Sequence, residues 1–243
     1  MNSAEQRQQE LRQRLERVSE RIAAAAVRAQ RRPEGVKLVA VSKTHPAETI
    51  LDAIAAGVTD LGENRVQEGL EKIPEVGRNS ARWHLIGHLQ SNKARRAVEL
   101  FDVIHSLDSA ALARRLDRVC EEAGREILPV LIQVDLGQEA TKTGAPESKV
   151  SEIIEAVRQS QRLRLEGLMT LPPYFEDPEQ TRPFFRKLRE LRDELRGQGM
   201  FGETGGELSM GMTHDFEVAI AEGATMVRVG TAIFGERESQ TQN

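Results

Sequence analysis

Residues 38–46 read LVAVSKTHP. Four apolar or small residues are followed by Ser42 and Lys43, and then by Thr44, His45 and Pro46. Alternation places Val39, Val41 and Lys43 on one side of a strand. Pro46 suits the first turn of a following helix, and Glu48 favours its N-terminus. A buried strand therefore stops at a lysine and a helix starts just beyond it. The same strand-then-helix grammar recurs along the chain. Strand candidates lie at 38–43, DLGEN (60–64), WHLIG (83–87), VIHSLD (103–108), PVLIQVDL (129–136), LEGLMTL (165–171), ELSMGM (207–212) and MVRVGTAIFG (226–235). Helical runs separate them, among them PAETILDAIAAG, SAALARRLDRVCEEAG and HDFEVAIAEG, with Gly57, Gly77, Gly124 and Gly223 as breakers. Strands joined by helical crossovers pair in parallel, because parallel neighbours need long connections. Eight such units predict an α/β chain folded as one closed (β/α)8 TIM barrel. An open doubly wound sheet is the alternative.

Ahead of the first strand, residues 3–30 predict one long helix, with Leu11, Leu15, Val18 and Ile22 forming a stripe at spacings of three and four. The last strand is followed only by ERESQTQN, too short and polar for a full outer helix. The N-terminal helix is expected to cover that part of the barrel. No linker divides the 243 residues, so a single domain is expected, with the helix at about 3–30 and the barrel at about 36–235. LPPYFEDPEQ (171–180) is the longest irregular piece and should lie over the top of the barrel.

A net charge of -4 gives no electrostatic case for nucleic acid or an anionic membrane. No apolar run approaches the roughly 18 residues of a membrane span, and the polar N-terminus lacks a signal-peptide core. The lone cysteine, Cys120, excludes an internal disulfide and fits a reducing compartment. A cytoplasmic protein is expected, with Cys120 packed inside a helix.

In a barrel of this kind the C-terminal strand ends form the active face. Lys43 should stand there, pointing inward. A lysine is costly to desolvate, so an inward-facing one implies a partner or a task, and a neutral amine is a nucleophile. A lysine snorkelling to solvent is the alternative. Near the other end, SMGMTHDFEVAI puts Ser209, Gly211 and Thr213 just ahead of a helix, where free N–H groups and small residues suit an anion. VRVGTAIFG then brings Arg228, Gly230 and Thr231 to the end of the eighth strand. Barrels often hold phosphate with the loops after strands seven and eight. Strand eight neighbours strand one on closure, so a phosphate site faces an amine. That pairing suits pyridoxal 5′-phosphate (PLP), held as an imine on Lys43. Arg228 is in phase to enter the site, where it has three open roles. It can lie near the pyridine nitrogen, bind phosphate, or pair with an acid such as Glu63.

LVAVSKTHP, LGENRVQE, WHLIGHLQSNK, GLMTLPP and LSMGMTHDFEVAIAEGATMVRVGTAIFG together resemble the pyridoxal phosphate homeostasis protein family. That family is similar to the barrel domain of alanine racemase without its second domain. The resemblance runs from about residue 5 to residue 236. It implies Lys43 as the Schiff-base lysine, with Ser209, Met210, Gly211, Gly230 and Thr231 on the phosphate. It also brings Arg228 toward the ring and Asn64 near the cofactor. Leu61 stands where Phe is common and Thr213 where Ser is frequent. The resemblance further implies a PLP carrier or regulator without established catalysis, with PLP-dependent apo-enzymes as partners. A monomer is the default expectation.

Physical chemistry points the same way. A racemase needs two bases, one on each face of the substrate. The only tyrosine, Tyr174, belongs to the 171–180 loop. A small single-domain PLP enzyme such as a racemase is the alternative function, and a PLP-free aldolase using Lys43 is a third. His84 and His88 are four apart in a strand-and-turn context, which separates them too far for a metal pair. His88, Gln90, Asn92 and Lys93 are candidates for the barrel rim, and His45 for starting the helix. Lys142, after strand five, could accept PLP and help hand it on; a solvated loop lysine is the alternative.

Overall fold

The computed structural model describes residues 3–137, 143–202 and 205–235. Eight parallel strands close into a barrel. They are β1 (Lys37–Val41), β2 (Asp60–Glu63), β3 (Arg82–Leu85), β4 (Val103–Leu107), β5 (Leu128–Asp135), β6 (Leu163–Met169), β7 (Glu207–Met212) and β8 (Met226–Val229). The ring runs in chain order, and β1 pairs with β8 to close it, with Val39 opposite Arg228. A two-residue strand, Ala145–Pro146, hangs on the end of β5 outside the ring. The helices between strands are α2 (Ala47–Ala55), α3 (Val66–Val76), α4 (Ala94–Leu100), α5 (Ala110–Glu122), α6 (Val150–Arg158), α7 (Arg182–Gly197) and α8 (Phe216–Ala221). They follow from the pattern. In α5, Ser109 accepts the Leu112 N–H at the N-cap, and Leu112, Leu116, Val119 and Cys120 are buried at helical spacing.

The N-terminal helix α1 (Ser3–Arg28) packs against α2, α8 and a last short helix, α9 (Thr231–Phe234). This is where the sequence reading expected the N-terminal helix to lie. Leu11, Leu15, Val18 and Ile22 are buried there, each stabilising by roughly 2 kcal/mol relative to exposure. Arg7 reaches Glu48 and Asp52, and Arg21 grips Glu217 through two bonds of 2.8 and 3.0 Å while lying over the Phe216 ring. Among the described residues no helix is long and apolar enough to cross a membrane.

Two segments differ from expectation. MVRVGTAIFG is not one strand. It leaves the ladder at Val229, turns at Gly230, and continues as α9, whose Ile233 and Phe234 are buried. The apolar run reads like a strand, but Gly230 breaks it where the barrel ends. HDFEVAIAEG yields only six helical residues, with Asp215 at its N-cap.

Candidate functional site

Strand alternation creates two interiors. Ala40, Leu61, Val227 and Val229 face the helices and join the main apolar core. Inside the barrel, apolar packing is sparse: Val103, Leu131 and Met169 form a separate cluster, with Leu171 against it. Much of the remaining interior is polar.

At the C-terminal strand ends lies a cavity of about 530 Å³. Its walls hold Lys43 and His45 after β1, Asn64 after β2, Gly87 after β3, and Arg228, Gly230 and Thr231 from the last strand and turn. Leu171 to Phe175 cross one side, as the loop reading anticipated, and Met212 to Asp215 line another. A volume of this order holds a small organic ligand.

Lys43 sits in the turn after β1, half-buried, with no hydrogen bond or ion pair to another described residue. Thr44 beside it adopts φ +67°, a left-handed conformation that β-branched residues avoid. Its N–H donates to Glu68 Oε2 at 2.8 Å. Glu68 also accepts from Lys72 of α3, which in turn reaches the Ser42 carbonyl at 2.9 Å and Glu63 at 3.0 Å. This network, buried at Glu63 and open at Thr44, anchors the turn from outside the barrel. Burial disfavours the Glu68 charge, but the Thr44 and Lys72 bonds outweigh it and hold the carboxyl below its ordinary range. Glu63 is fully buried with Oε2 unpartnered, and burial pushes its carboxyl up despite Lys72 and Ser42.

Glu63 is therefore no partner for Arg228, the third role left open by the sequence, because it faces Lys72 outside the barrel. Arg228, 2% exposed, donates from one terminal nitrogen to Ser209 Oγ at 2.6 Å and from the other to the Thr170 carbonyl at 2.9 Å. Burial lowers its pKa to about 10, against the attraction of Asp215. Asp215 accepts the Met212 N–H at 2.6 Å, and burial raises its carboxyl.

Of the residues marked from the sequence, Lys43, Asn64, Arg228, Gly230 and Thr231 meet around one cavity. Ser209, Met210 and Gly211 are not among its lining residues. The Ser209 hydroxyl is committed beneath it to Arg228 and His105, Met210 packs into the outer core, and Gly211 rests against Phe216 and Ala219. The cavity-facing part of that segment is 212–215 instead. The start of α8 is also less open to an anion than expected, because the Asp215 carboxylate stands there. Close approaches fix the walls. A Cβ on Gly87 would fall 2.1 Å from the Asn64 carbonyl oxygen, and one on Gly230 would fall 3.2 Å from that of Val41.

His45 stacks on Phe234 with ring centroids 5.0 Å apart, so it joins β1 to α9 at the cavity wall besides preceding α2. His88 meets Asp108 at 3.3 Å, whereas His84 turns inward to Asp60 and His105. Tyr174 lines the cavity, 77% exposed, its ring 5.5 Å from that of His214, which donates to the Glu176 carbonyl. The Cys120 thiol is buried, and burial pushes it up to about 11. Lys142 lies outside the described residues. Sequence reading missed Asp60, His105 and Thr170. The available signal was phase: Asp60, His84 and His105 fall at inward positions of three neighbouring strands.

The family model for the alanine racemase N-terminal domain matches residues 14–238. A pyridoxal phosphate homeostasis protein of Aquifex aeolicus (strain VF5) is 46% identical over 228 residues, 93% of this chain and 98% of that one. Among solved structures, an unknown protein from Bifidobacterium adolescentis is 38% identical with a TM-score of 0.87, covering 96% of this chain and 97% of that one. PipY of Synechococcus elongatus PCC7942, solved with PLP bound, is 43% identical with a TM-score of 0.77, covering 90% and 100% respectively.

Proposed function

The chain belongs to the pyridoxal phosphate homeostasis protein family, and from that premise we propose that it binds PLP at the barrel mouth and serves cellular PLP supply rather than turnover. One observation carries the reading: the Lys43 amine, unpaired among the described residues, shares a cavity with a buried guanidinium and the small-residue turn Gly230–Thr231. The PLP-bound structure of PipY, a relative at 43% identity, supports the choice of ligand. PLP, when bound, supplies an aldehyde that lysine amines capture and a ring that can draw off electrons. Lys43 is the amine that holds the aldehyde. Gly230, Thr231 and Thr213, which line the cavity, would take the phosphate; Met210 and Gly211, which the resemblance placed there, lie behind its wall. Asn64 lines the wall opposite, and Arg228 rises from the floor toward the ring. Ser209 acts through Arg228 rather than on the phosphate itself.

Two features argue against efficient catalysis. A guanidinium near the pyridine nitrogen disfavours its protonation and weakens the ring as an electron sink. Tyr174 is also poorly placed to act as a second base, being held largely in solvent by an irregular loop. The racemase reading keeps one observation on its side, that Tyr174 does line the cavity. Receipt of the cofactor by PLP-dependent apo-enzymes, a monomeric state and a cytoplasmic location complete the proposal.

The test is the spectrum of purified protein given PLP, before and after borohydride. Wild type should show the visible band of lysine-bound PLP, made permanent by reduction, and Lys43→Ala should show neither. A band that survives in Lys43→Ala, or reduction that labels a different lysine, defeats the assignment. Amino-acid racemisation clearly above that of free PLP, and lost in Tyr174→Phe, would favour the enzyme.

A further inference from the structure

A chain of side chains runs through the barrel interior from its floor to the cavity. Asp60 is the first residue of β2, at the end opposite the mouth. Its Oδ1 lies 2.9 Å from His84 Nε2, and His84 Nδ1 lies 2.8 Å from His105 Nε2. His105 Nδ1 crosses the barrel to Ser209 Oγ at 2.9 Å, and Ser209 Oγ takes the Arg228 bond of 2.6 Å. His84, His105, Ser209 and Arg228 are all buried, as is Asp60 apart from a small edge.

With Asp60 ionised and both imidazoles neutral, the donors and acceptors admit one assignment. An ionised Asp60 only accepts, so His84 carries its proton on Nε2. A neutral His84 then accepts at Nδ1, which places the His105 proton on Nε2 as well. His105 accepts at Nδ1 from the Ser209 hydroxyl. The Ser209 lone pair is left for Arg228, which only donates. Each donor thus points from the guanidinium toward the carboxylate. Asp60 favours its charged form: burial opposes it, but bonds from His84 and Thr59 outweigh burial, with help from Lys37. Burial pushes both imidazoles below their ordinary range, against Asp60 at His84 and reinforced at His105 by His84, Arg228, Arg82 and Lys37.

We propose that Asp60 is a positioning residue for the cofactor site: through His84, His105 and Ser209 it fixes the direction of hydrogen bonding that holds Arg228 at the cavity floor. The proposal rests on PLP occupying that cavity. It gives a physical use to polar groups that would otherwise be a costly way to fill a barrel, since partly satisfied polar interiors are worse than apolar ones.

Two measurements test it. The first needs no ligand. In protein with ¹⁵N-labelled histidine near neutral pH, His84 and His105 should both appear neutral with the proton on Nε2, and Asp60→Ala should abolish that fixed tautomer. Either ring protonated on Nδ1 in wild type overturns the assignment. The second is a PLP titration. Asp60→Ala and Ser209→Ala should each weaken PLP about tenfold, on the scale of a lost buried hydrogen-bond partner. The double variant should be no weaker than Ser209→Ala, because severing the chain at Ser209 removes the reach of Asp60. Additive losses, or an Asp60→Ala affinity within twofold of wild type, defeat the proposal. Should Asp60→Ala fail to fold, Asp60→Asn takes its place in the same cycle. It keeps an acceptor for His84 and drops the charge, and should retain the tautomers with a loss of about threefold; no loss, or one that adds to Ser209→Ala, has the same adverse meaning. Wild type that fails to bind PLP while its rings keep the Nε2 proton would sink the cofactor reading and leave the donor chain standing.

Discussion

Lys43 and Lys72 flank the same turn, and the protein surrounds them in opposite ways. Lys72 approaches from outside the barrel and meets three acceptors within 3.0 Å: the Ser42 carbonyl, Glu63 and Glu68. Lys43, two residues past the end of β1, has no partner among the described residues and faces the cavity. Ion pairing decides the difference. The first amine is spent on structure and secures the loop that presents the second. The two amines thus differ in that carboxylates pair with Lys72 and none pairs with Lys43 among the described residues.

The largest effect that would break this contrast is at the cavity. Lys43→Ala should lose PLP attachment entirely while changing urea-unfolding stability by no more than about 0.5 kcal/mol. Lys72→Met should do the reverse. It leaves Glu63 buried without its cation and should cost about 3 kcal/mol in the same unfolding assay, with the PLP band retained. Equal losses of stability in the two variants would erase the distinction. The barrel interior sharpens it through acid sensitivity. His84 and His105 have folded pKa values lowered by burial, so they stay neutral in the native state while the unfolded chain protonates them below about 6.5. Their contribution is fully present above that pH and is lost as pH falls. Urea midpoints should therefore fall as the pH is lowered through about 6.5, and fall less when both histidines are replaced. A flat profile, or one unchanged when both histidines are replaced, contradicts neutral burial. The smallest effect concerns the turn itself. Thr44→Asn suits the left-handed backbone better and should stabilise by about 0.5 kcal/mol; destabilisation would show that Thr44 makes contacts worth more than its strain.

The barrel was legible because its signal is local. Each strand candidate is a short apolar run closed by a breaker, and the order of eight strands and helices leaves few closed topologies. Lys43 and the Gly230–Thr231 turn were legible for the same reason, since alternation places them and the ring makes β1 and β8 neighbours. The parts that escaped are tertiary. Asp60, His84 and His105 sit in separate strands, and His105 finds Ser209 only across the closed barrel, so no window of sequence contains the contact. Ser209 illustrates the cost: its position near the mouth suggested a phosphate ligand, yet its hydroxyl is committed to Arg228 and His105. Glu63 reads as a cavity residue from its place beside Asn64, but alternation along β2 turns it outward to Lys72. Local chemistry also misled at residues 231–234, where an apolar run forms a helical turn because the barrel has already ended.

The helix α1 has a consequence for synthesis. It leaves the ribosome ahead of the barrel, yet much of its apolar stripe is covered by α8 and α9, which come last among the described elements. Contacts so distant in sequence form late, and an amphipathic helix left without its cover is a target for chaperones or misassembly. The stripe of Leu11, Leu15, Val18 and Ile22 is therefore shielded in full only once β8 and the helices beside it have emerged, so ring closure and the covering of that stripe coincide.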